Sequence, residues 1–226
     1  MTQTQDGLAA KAQDKLDAVK AELHSAVIGD VLDQMGRKHQ FLPAGIRPMR
    51  SEHVLVGRAM TVLIADVFGP QRQPFGRLTE ALDNLEPGEV YIAFNGHGPA
   101  AAWGEILTVT AKKRGAAGAV LDGYHRDSRG VLGCDWPVFS RGPYAQDAGS
   151  RKSVLDYRVP IEIGQAAITP GDLIFGDRDG VLVIPQDIEA EVLERAFTKA
   201  STERTVMTSI AGGMSSTEAF ATYGVL

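Results

Sequence analysis

The sequence predicts an α/β fold in which a sheet with a parallel crossover is framed by helices at both chain ends. Three observations carry this. Between residues 86 and 123 an apolar strand, an Ala-rich helical stretch and a second buried strand follow one another, as a parallel crossover requires. Beyond residue 137, short apolar runs alternate with Gly, Pro and Asp-Gly turns. Polar, charged helical patterns occupy the two ends. No fixed-period repeat and no low-complexity tract interrupts the chain, so residues 1–226 read as one domain, with 1–24 a helical extension and 186–226 the C-terminal helices.

Taken in order, residues 8–23 have the composition of a polar amphipathic helix. A second helix is expected from Ser25, a residue type suited to an N-cap, to Gly36, suited to a stop. FLPAGIRPM (41–49) is turn-rich. VLVGRAMTVLIAD (54–66) is dominated by β-branched and apolar residues and predicts a strand. Residues 75–84 are helical in composition, and EPGEVYIAF (86–94) is a Pro-Gly turn running into a short strand. PAAAWGEILTVTAKKRG (99–115) is Ala-rich with basic residues near its end, which suits a helix C-terminus; Gly104 inside it allows the helix to begin only there. AGAVLDG (117–123) is a buried strand ending in a turn. PVFSRG, RVPIEIG and AAITPGDLIFGDRDGVLVIP supply short strands, and a charged helix from Gln186 continues through ERTVMTSI to Gly212-Gly213.

Hydrophobic residues at 44% and charged residues at 23% give an ordinary globular balance that can bury a sizeable core. A formal net charge of -5 argues against nucleic acid as the main partner, because phosphate binding needs clustered Lys and Arg. No window approaches the apolar length of a membrane span, and the polar opening MTQTQDGLAAKAQDKLDAVK holds no signal core. The single cysteine, Cys134, excludes an intramolecular disulfide, and a cytoplasmic location is expected.

The chemistry-bearing stretch is LDGYHRDSRG, which puts Arg126 and Asp127 just past a buried strand, where ligands gather in open α/β sheets. Arginine offers a rigid fork of donors matched to a carboxylate. Aspartate offers hard oxygens for Mg²⁺ or Mn²⁺. The pair can hold an anionic oxo acid and its metal side by side. The second element is WGEIL (103–107). If Gly104 opens a helix, the first amides are unpaired donors that form an anion site strengthened by the helix dipole, with Glu105 facing the same pocket. Each element has an ordinary structural explanation on its own: a strand-end cap, a favourable first-turn carboxylate. His97 in NGHG, and Asp177 and Asp179 in GDRDGV, suit loop and hairpin positions, and Cys134 has no CxxC partner. Serine hydrolase, P-loop and HExxH patterns do not occur.

Together these residues say more. WGEILTVTAKKRGAAGAVLDGYHRD resembles the signature of the RraA-like family, and the resemblance spans roughly residues 25–226, through PVFSRG, TPGDLIFGDRDGVLVIP and EAFATYGVL. That family includes 4-hydroxy-4-methyl-2-oxoglutarate / 4-carboxy-4-hydroxy-2-oxoadipate aldolases and protein regulators of ribonuclease E. The resemblance implies a swivelling β/β/α core with flanking helices, assembled as a homotrimer or a hexamer with active sites between subunits. Carried over by position, Asp127 holds the divalent metal (Mg²⁺, Mn²⁺ or another), partly through water. Arg126 binds the pyruvyl group, and the backbone of Gly104, Glu105, Ile106 and Leu107 receives the carboxylate. Glu105 supports the metal's water shell, and Glu203 matches an acid lent to the adjacent subunit. The implied activity is cleavage of a 4-hydroxy-2-oxo acid to pyruvate and an oxo acid, with oxaloacetate decarboxylation on the side. The alternatives are a non-catalytic ribonuclease E regulator and another metal-dependent lyase or hydratase acting on a sugar acid.

Overall fold

The computed structural model describes residues 14–69 and 71–225. The first part of the predicted 8–23 helix lies outside the described residues; helix α1 runs over 14–22. Helix α2, Ser25–Gln34, is capped by His24, not Ser25. Ser25 is buried and donates its backbone N–H and its hydroxyl to the Asp177 carboxylate, both at 2.8 Å. A short side chain that would serve as a cap is thus drawn into a tertiary contact, and the His24 ring takes the Val27 N–H instead.

The main sheet runs in the order β1 (Arg47–Pro48), β7 (Val138–Ser140), β5 (Gly118–Asp122), β3 (Glu89–Asn95), β2 (Leu55–Asp66), β11 (Leu173–Asp177), β12 (Gly180–Ile184). Strands β2, β3, β5 and β7 are mutually parallel, and β1, β11 and β12 join antiparallel. At twelve residues, β2 is long enough to serve two partners on one edge, β11 along its first half and β8 (Lys152–Tyr157) along its second. The sheet curls until it nearly closes: Arg47 of β1 donates to the Arg178 carbonyl in the β11–β12 turn at 3.4 Å. Strands β9 (Ile161–Ile163) and β10 (Ala166–Ile168) form a separate hairpin.

The strands bury both faces, so alternate residues enter different cores. On β3, Val90 and Ile92 join Val120, Phe139 and Ile174 inside the curl, whereas Tyr91 and Ala93 join Met60, Trp103 and Trp136 beneath the crossover helices. Helix α2 and the long α6 (Glu189–Ala211) cover β11–β12 through Ile28, Leu32, Leu182 and Leu193. Arg58 of β2 donates to Glu189 at 3.0 Å and ties the start of α6 to the sheet. Helix α7, Ser216–Tyr223, closes the described chain with a full capping box at Ser215. The remaining helices are α3 (Leu78–Asp83), α4 (Glu105–Lys113) and α5 (Ser128–Gly133). No helix among the described residues is long and apolar enough to cross a membrane.

One predicted helix is shorter than its composition suggests. Ala101–Trp103 of the Ala-rich stretch is strand β4, paired in parallel with β6, Tyr124–His125. Helix α4 therefore starts at Glu105, with extended Gly104 as its N-cap. Helix propensity loses here to a tertiary pairing.

Candidate active site

The β4–β6 pair brings the two motifs together. The Arg126 N–H donates to the Trp103 carbonyl at 2.9 Å, so both strands end side by side, and the residues that follow, Gly104-Glu105 and Arg126-Asp127, share one rim. Trp103 is a rigid floor. Its indole N–H donates to Thr108 Oγ1 at 2.8 Å, that hydroxyl donates to the Gly104 carbonyl at 2.9 Å, and the ring stacks on Trp136 at 6.1 Å between centroids. Next to Arg126, His125 is buried with Nδ1 2.7 Å from Ser140 Oγ and Nε2 3.1 Å from Ser128 Oγ. Burial lowers its pKa, and a neutral ring with one donor and one acceptor suits two hydroxyls. His125 braces the corner instead of facing the cavity.

Asp127 turns the chain from β6 into α5 with a left-handed backbone, φ 53 and ψ 36. Aspartate tolerates this conformation better than most residues, but it is uncommon and concentrates at functional sites. The turn sends the carboxylate across to Gly104, where a Cβ would stand 2.5 Å from Asp127 Oδ2. Only glycine leaves that space. The Glu105 N–H meets the same oxygen at a long 3.4 Å, and α4 has no side-chain cap of its own. The first-turn amides of Ile106 and Leu107 have no partner within the helix, as at any helix start.

Gly104, Ile106, Leu107, Arg126 and Asp127 all line one cavity of about 400 Å³. Arg126 Nη1 is 3.3 Å from Asp147 Oδ1, and its Nε is 3.8 Å from Asp127 Oδ2. The side chains of Arg126, Asp127 and Asp147 are 41%, 45% and 39% exposed, so these pairs orient the guanidinium and contribute little stability. Phe75, Leu78, Leu82, Ala102 and Ala148 supply apolar lining to the same cavity, with Thr79 and Asp83 among them. Phe75 and Gly76 both have left-handed backbones, φ 62 and 61, and a Cβ on Gly76 would lie 2.2 Å from the Val154 carbonyl oxygen. The segment is pinned to β8 by Val154 N–H to Phe75 O at 3.1 Å and Arg77 N–H to Val154 O at 3.0 Å.

Two expected residues, Glu105 and Glu203, stand elsewhere. Glu105 borders an adjoining depression with Asp127, Ser128 and Gly130; its carboxylate lies where a Cβ on Gly130 would be. Glu203 pairs with Lys199 at 3.1 Å and His24 at 3.9 Å, and it is not on the cavity lining of its own chain. His97 is held through its backbone N–H, which donates to Asp66 Oδ2 at 2.8 Å. Asp177 and Asp179 sit at the β11–β12 hairpin, with Asp177 accepting from Asp179 N at 2.9 Å. Sequence reasoning missed Asp147 and the apolar lining. Asp147 lies in an irregular loop joined to Ala101 by a single bridge, and no local pattern marks it. Among the described residues no three His, Cys, Asp or Glu side chains form a metal cage.

The model of the RraA-like family, described as Aldolase/RraA, matches residues 25–183. The chain belongs to the RraA-like family. Every residue lining the cavity falls inside the RraA-like match, while α6 and α7 follow it. Among curated relatives, Protein DlpA of Legionella pneumophila is 31% identical over 194 residues, 84% of this chain; the chain spans only 31% of that protein. A Halalkalibacterium halodurans protein named "Putative 4-hydroxy-4-methyl-2-oxoglutarate aldolase" is 35% identical over 76% of this chain and 77% of its own. Among solved structures, Streptomyces coelicolor RraAS2, described as an unusual member of the RNase ES inhibitor RraA protein family, superposes with TM-score 0.76 at 26% identity, over 85% of this chain and 96% of that one.

Proposed function

We propose that this RraA-like chain is a divalent-metal-dependent carbon–carbon lyase that cleaves a 4-hydroxy-2-oxo acid to pyruvate and an oxo compound. This is the class to which 4-hydroxy-4-methyl-2-oxoglutarate and 4-carboxy-4-hydroxy-2-oxoadipate belong. The observation that carries the reading is the meeting of Arg126, Asp127 and the start of α4 on one cavity. The aldolase name of the Halalkalibacterium relative supports it.

The donor set fits a hard cation. Asp127, with Asp147 across Arg126, offers one or two carboxylates, which suits Mg²⁺ or Mn²⁺ that keeps water and accepts further oxygens from substrate. When bound, the metal supplies Lewis acidity at the substrate's keto oxygen. The protein does the rest. The amides of Ile106 and Leu107 receive the carboxylate at the positive end of α4. Arg126 donates to the oxygen on which negative charge collects as the C3–C4 bond breaks, and Asp147 keeps its fork turned to the cavity. Glu105, beside Asp127 in the neighbouring depression, supports the water around the cation. Loss of CO₂ from oxaloacetate leaves the same enolate, so oxaloacetate decarboxylation accompanies the main reaction. In this reading the protein is a homotrimer or hexamer, with Glu203 lent to a neighbouring subunit's site, and its partner is a small oxo acid.

The test is pyruvate release from branched 4-hydroxy-2-oxo acids and from oxaloacetate, with and without Mg²⁺. Turnover is expected only with the metal. Turnover that persists in excess EDTA, or a borohydride-trapped pyruvate adduct, would refute the reading. The likeness to RraAS2 favours a second reading, a non-catalytic regulator of an RNA-degrading enzyme. A tight ribonuclease partner together with no turnover of any oxo acid would establish it.

A further inference from the structure

Gly104 is the joint between β4 and α4, and it has no side chain with which to brace that joint. A hydrogen bond between two other side chains spans it instead. Trp103, the last residue of β4, donates its indole N–H to Thr108 Oγ1, one turn into α4, at 2.8 Å. Both residues are closed to solvent, at 2% and 0% exposure. An indole nitrogen only donates, so Thr108 Oγ1 accepts from it, and the hydroxyl's own proton goes to the Gly104 carbonyl at 2.9 Å. That carbonyl already accepts the Thr108 backbone N–H at 3.1 Å, so the hydroxyl is not needed to start the helix. What it adds is a tie from helix to strand. The strand end is itself fixed to the second motif, since the Trp103 carbonyl accepts the Arg126 N–H at 2.9 Å. One run of hydrogen bonds, all within a single chain, thus leads from Arg126 through Trp103 and Thr108 to Gly104.

We infer that Thr108 is a positioning residue: with the Trp103 indole it fixes the angle at which α4 leaves β4, and so the place of the Ile106 and Leu107 amides relative to Arg126 and Asp127. This rests on the lyase reading above, in which those amides receive the substrate carboxylate. Thr108 itself is not on the cavity lining and acts through the backbone it holds. Without the tie, α4 pivots about Gly104, and a shift near 1 Å at the first amides is enough to cost about 10²-fold in rate. A threonine hydroxyl bonded to the carbonyl four residues back is ordinary in helices, and Thr110, Thr198 and Thr202 make the same bond on exposed faces. Thr108 differs from them in being buried and in accepting from a residue on the other side of the joint.

The experiment measures two quantities on the full chain with Mg²⁺ present. One is the dissociation constant of oxalate, which has the shape and charge of a pyruvate enolate, by calorimetry. The other is kcat/KM for pyruvate release from oxaloacetate above the uncatalysed rate. Thr108→Val keeps the shape of the side chain and removes the hydroxyl. It is expected to weaken oxalate binding and to lower kcat/KM, each by at least about tenfold. Thr108→Ser keeps the hydroxyl and is expected to recover most of both losses, although it takes a methyl group out of the core. Thermal melts show that each protein is folded. A folded Thr108→Val protein with a smaller loss of oxalate affinity overturns the inference, as does a serine variant no better than valine: Thr108 then serves packing alone. If Thr108→Val does not fold, Trp103→Phe breaks the tie from the other side, and a loss of oxalate affinity below about tenfold in that protein likewise overturns the inference. Wild-type protein that releases no pyruvate overturns the lyase reading, and this inference with it.

Discussion

Gly104 and Arg126 allow the backbone and the chemistry of the site to be probed separately. Gly104 has φ -164 and ψ -169, extended backbone that alanine also adopts, so Gly104→Ala is compatible with folding. Its Cβ nevertheless meets Asp127 Oδ2 at 2.5 Å, and the carboxylate must move. Activity is expected to fall about 10²-fold, the usual cost of a displacement near 1 Å, with the melting temperature nearly unchanged; steady-state kinetics beside a thermal melt checks both. Arg126→Ala removes a preorganised charged donor and is expected to lower kcat/KM by about 10²–10³, roughly 3 kcal/mol. Arg126→Lys recovers little, because an ammonium cannot reproduce the fork. Recovery to near wild-type rates by lysine would mean that charge alone matters. At this scale the motif was readable because Arg-Asp and Gly-Glu are chemically distinctive beside strand ends. Where Glu105 points, and that Asp147 sits beside Arg126, depend on helix α5 and on a loop with no pattern of their own.

Among elements, the end of β2 is a clamp. The Asp66 carboxylate accepts from Lys152 at 2.6 Å and from the backbone N–H groups of His97 at 2.8 Å and Gly98 at 3.3 Å, joining β2, β8 and the loop after β3. The hydrogen bond from Lys152, then that from His97, holds its pKa down to about 2, against an ordinary 3.8. A lowered carboxyl pKa contributes stability that is fully present above the unfolded value and is lost as pH falls through the folded one, here between about 4 and 2. A shift of this size corresponds to ~2.5 kcal/mol at most, and roughly 1 kcal/mol once screening of a one-third exposed carboxylate is allowed for. Denaturant titrations at pH 6 and pH 2.5 are expected to show that loss in the wild type and its absence in Asp66→Asn. An equal loss in both would place the acid sensitivity elsewhere. The long strands and α6 were legible from apolar runs and charged periodicity. Ala101–Trp103 was not, since alanines speak for helix and only the pairing with Tyr124–His125 makes them a strand. Ser25 misled for a similar reason: its hydroxyl serves Asp177 across the fold.

For the molecule as a whole, the α/β class and the parallel crossover followed from sequence alternation, whereas the near-closure of the sheet did not. Closure depends on a two-residue strand, β1, and on Arg47 reaching the far hairpin, neither of which leaves a periodic trace. Asp177 fastens the helical layer to that hairpin through three short hydrogen bonds to Ser25 and Asp179. Asp177→Ala strands the buried Ser25 donors and is expected to cost about 2–3 kcal/mol in equilibrium unfolding. Ile106 and Val109, on the outer face of α4 beside the cavity, are 79% and 52% exposed. For the assembly proposed above, light scattering is expected to give three or six times the 24.2 kDa chain mass. A monomer that turns over substrate would separate catalysis from assembly.

Arg126 and Asp127 are joined by a single peptide unit, whereas Phe75, Leu78 and Leu82 of the cavity lining come from another crossover of the chain, between β2 and β3. Guanidinium and carboxylate therefore enter the site from one turn of backbone, that between β6 and α5. The stretch 75–83 can therefore be rewritten in sequence without touching the turn that carries the charged pair.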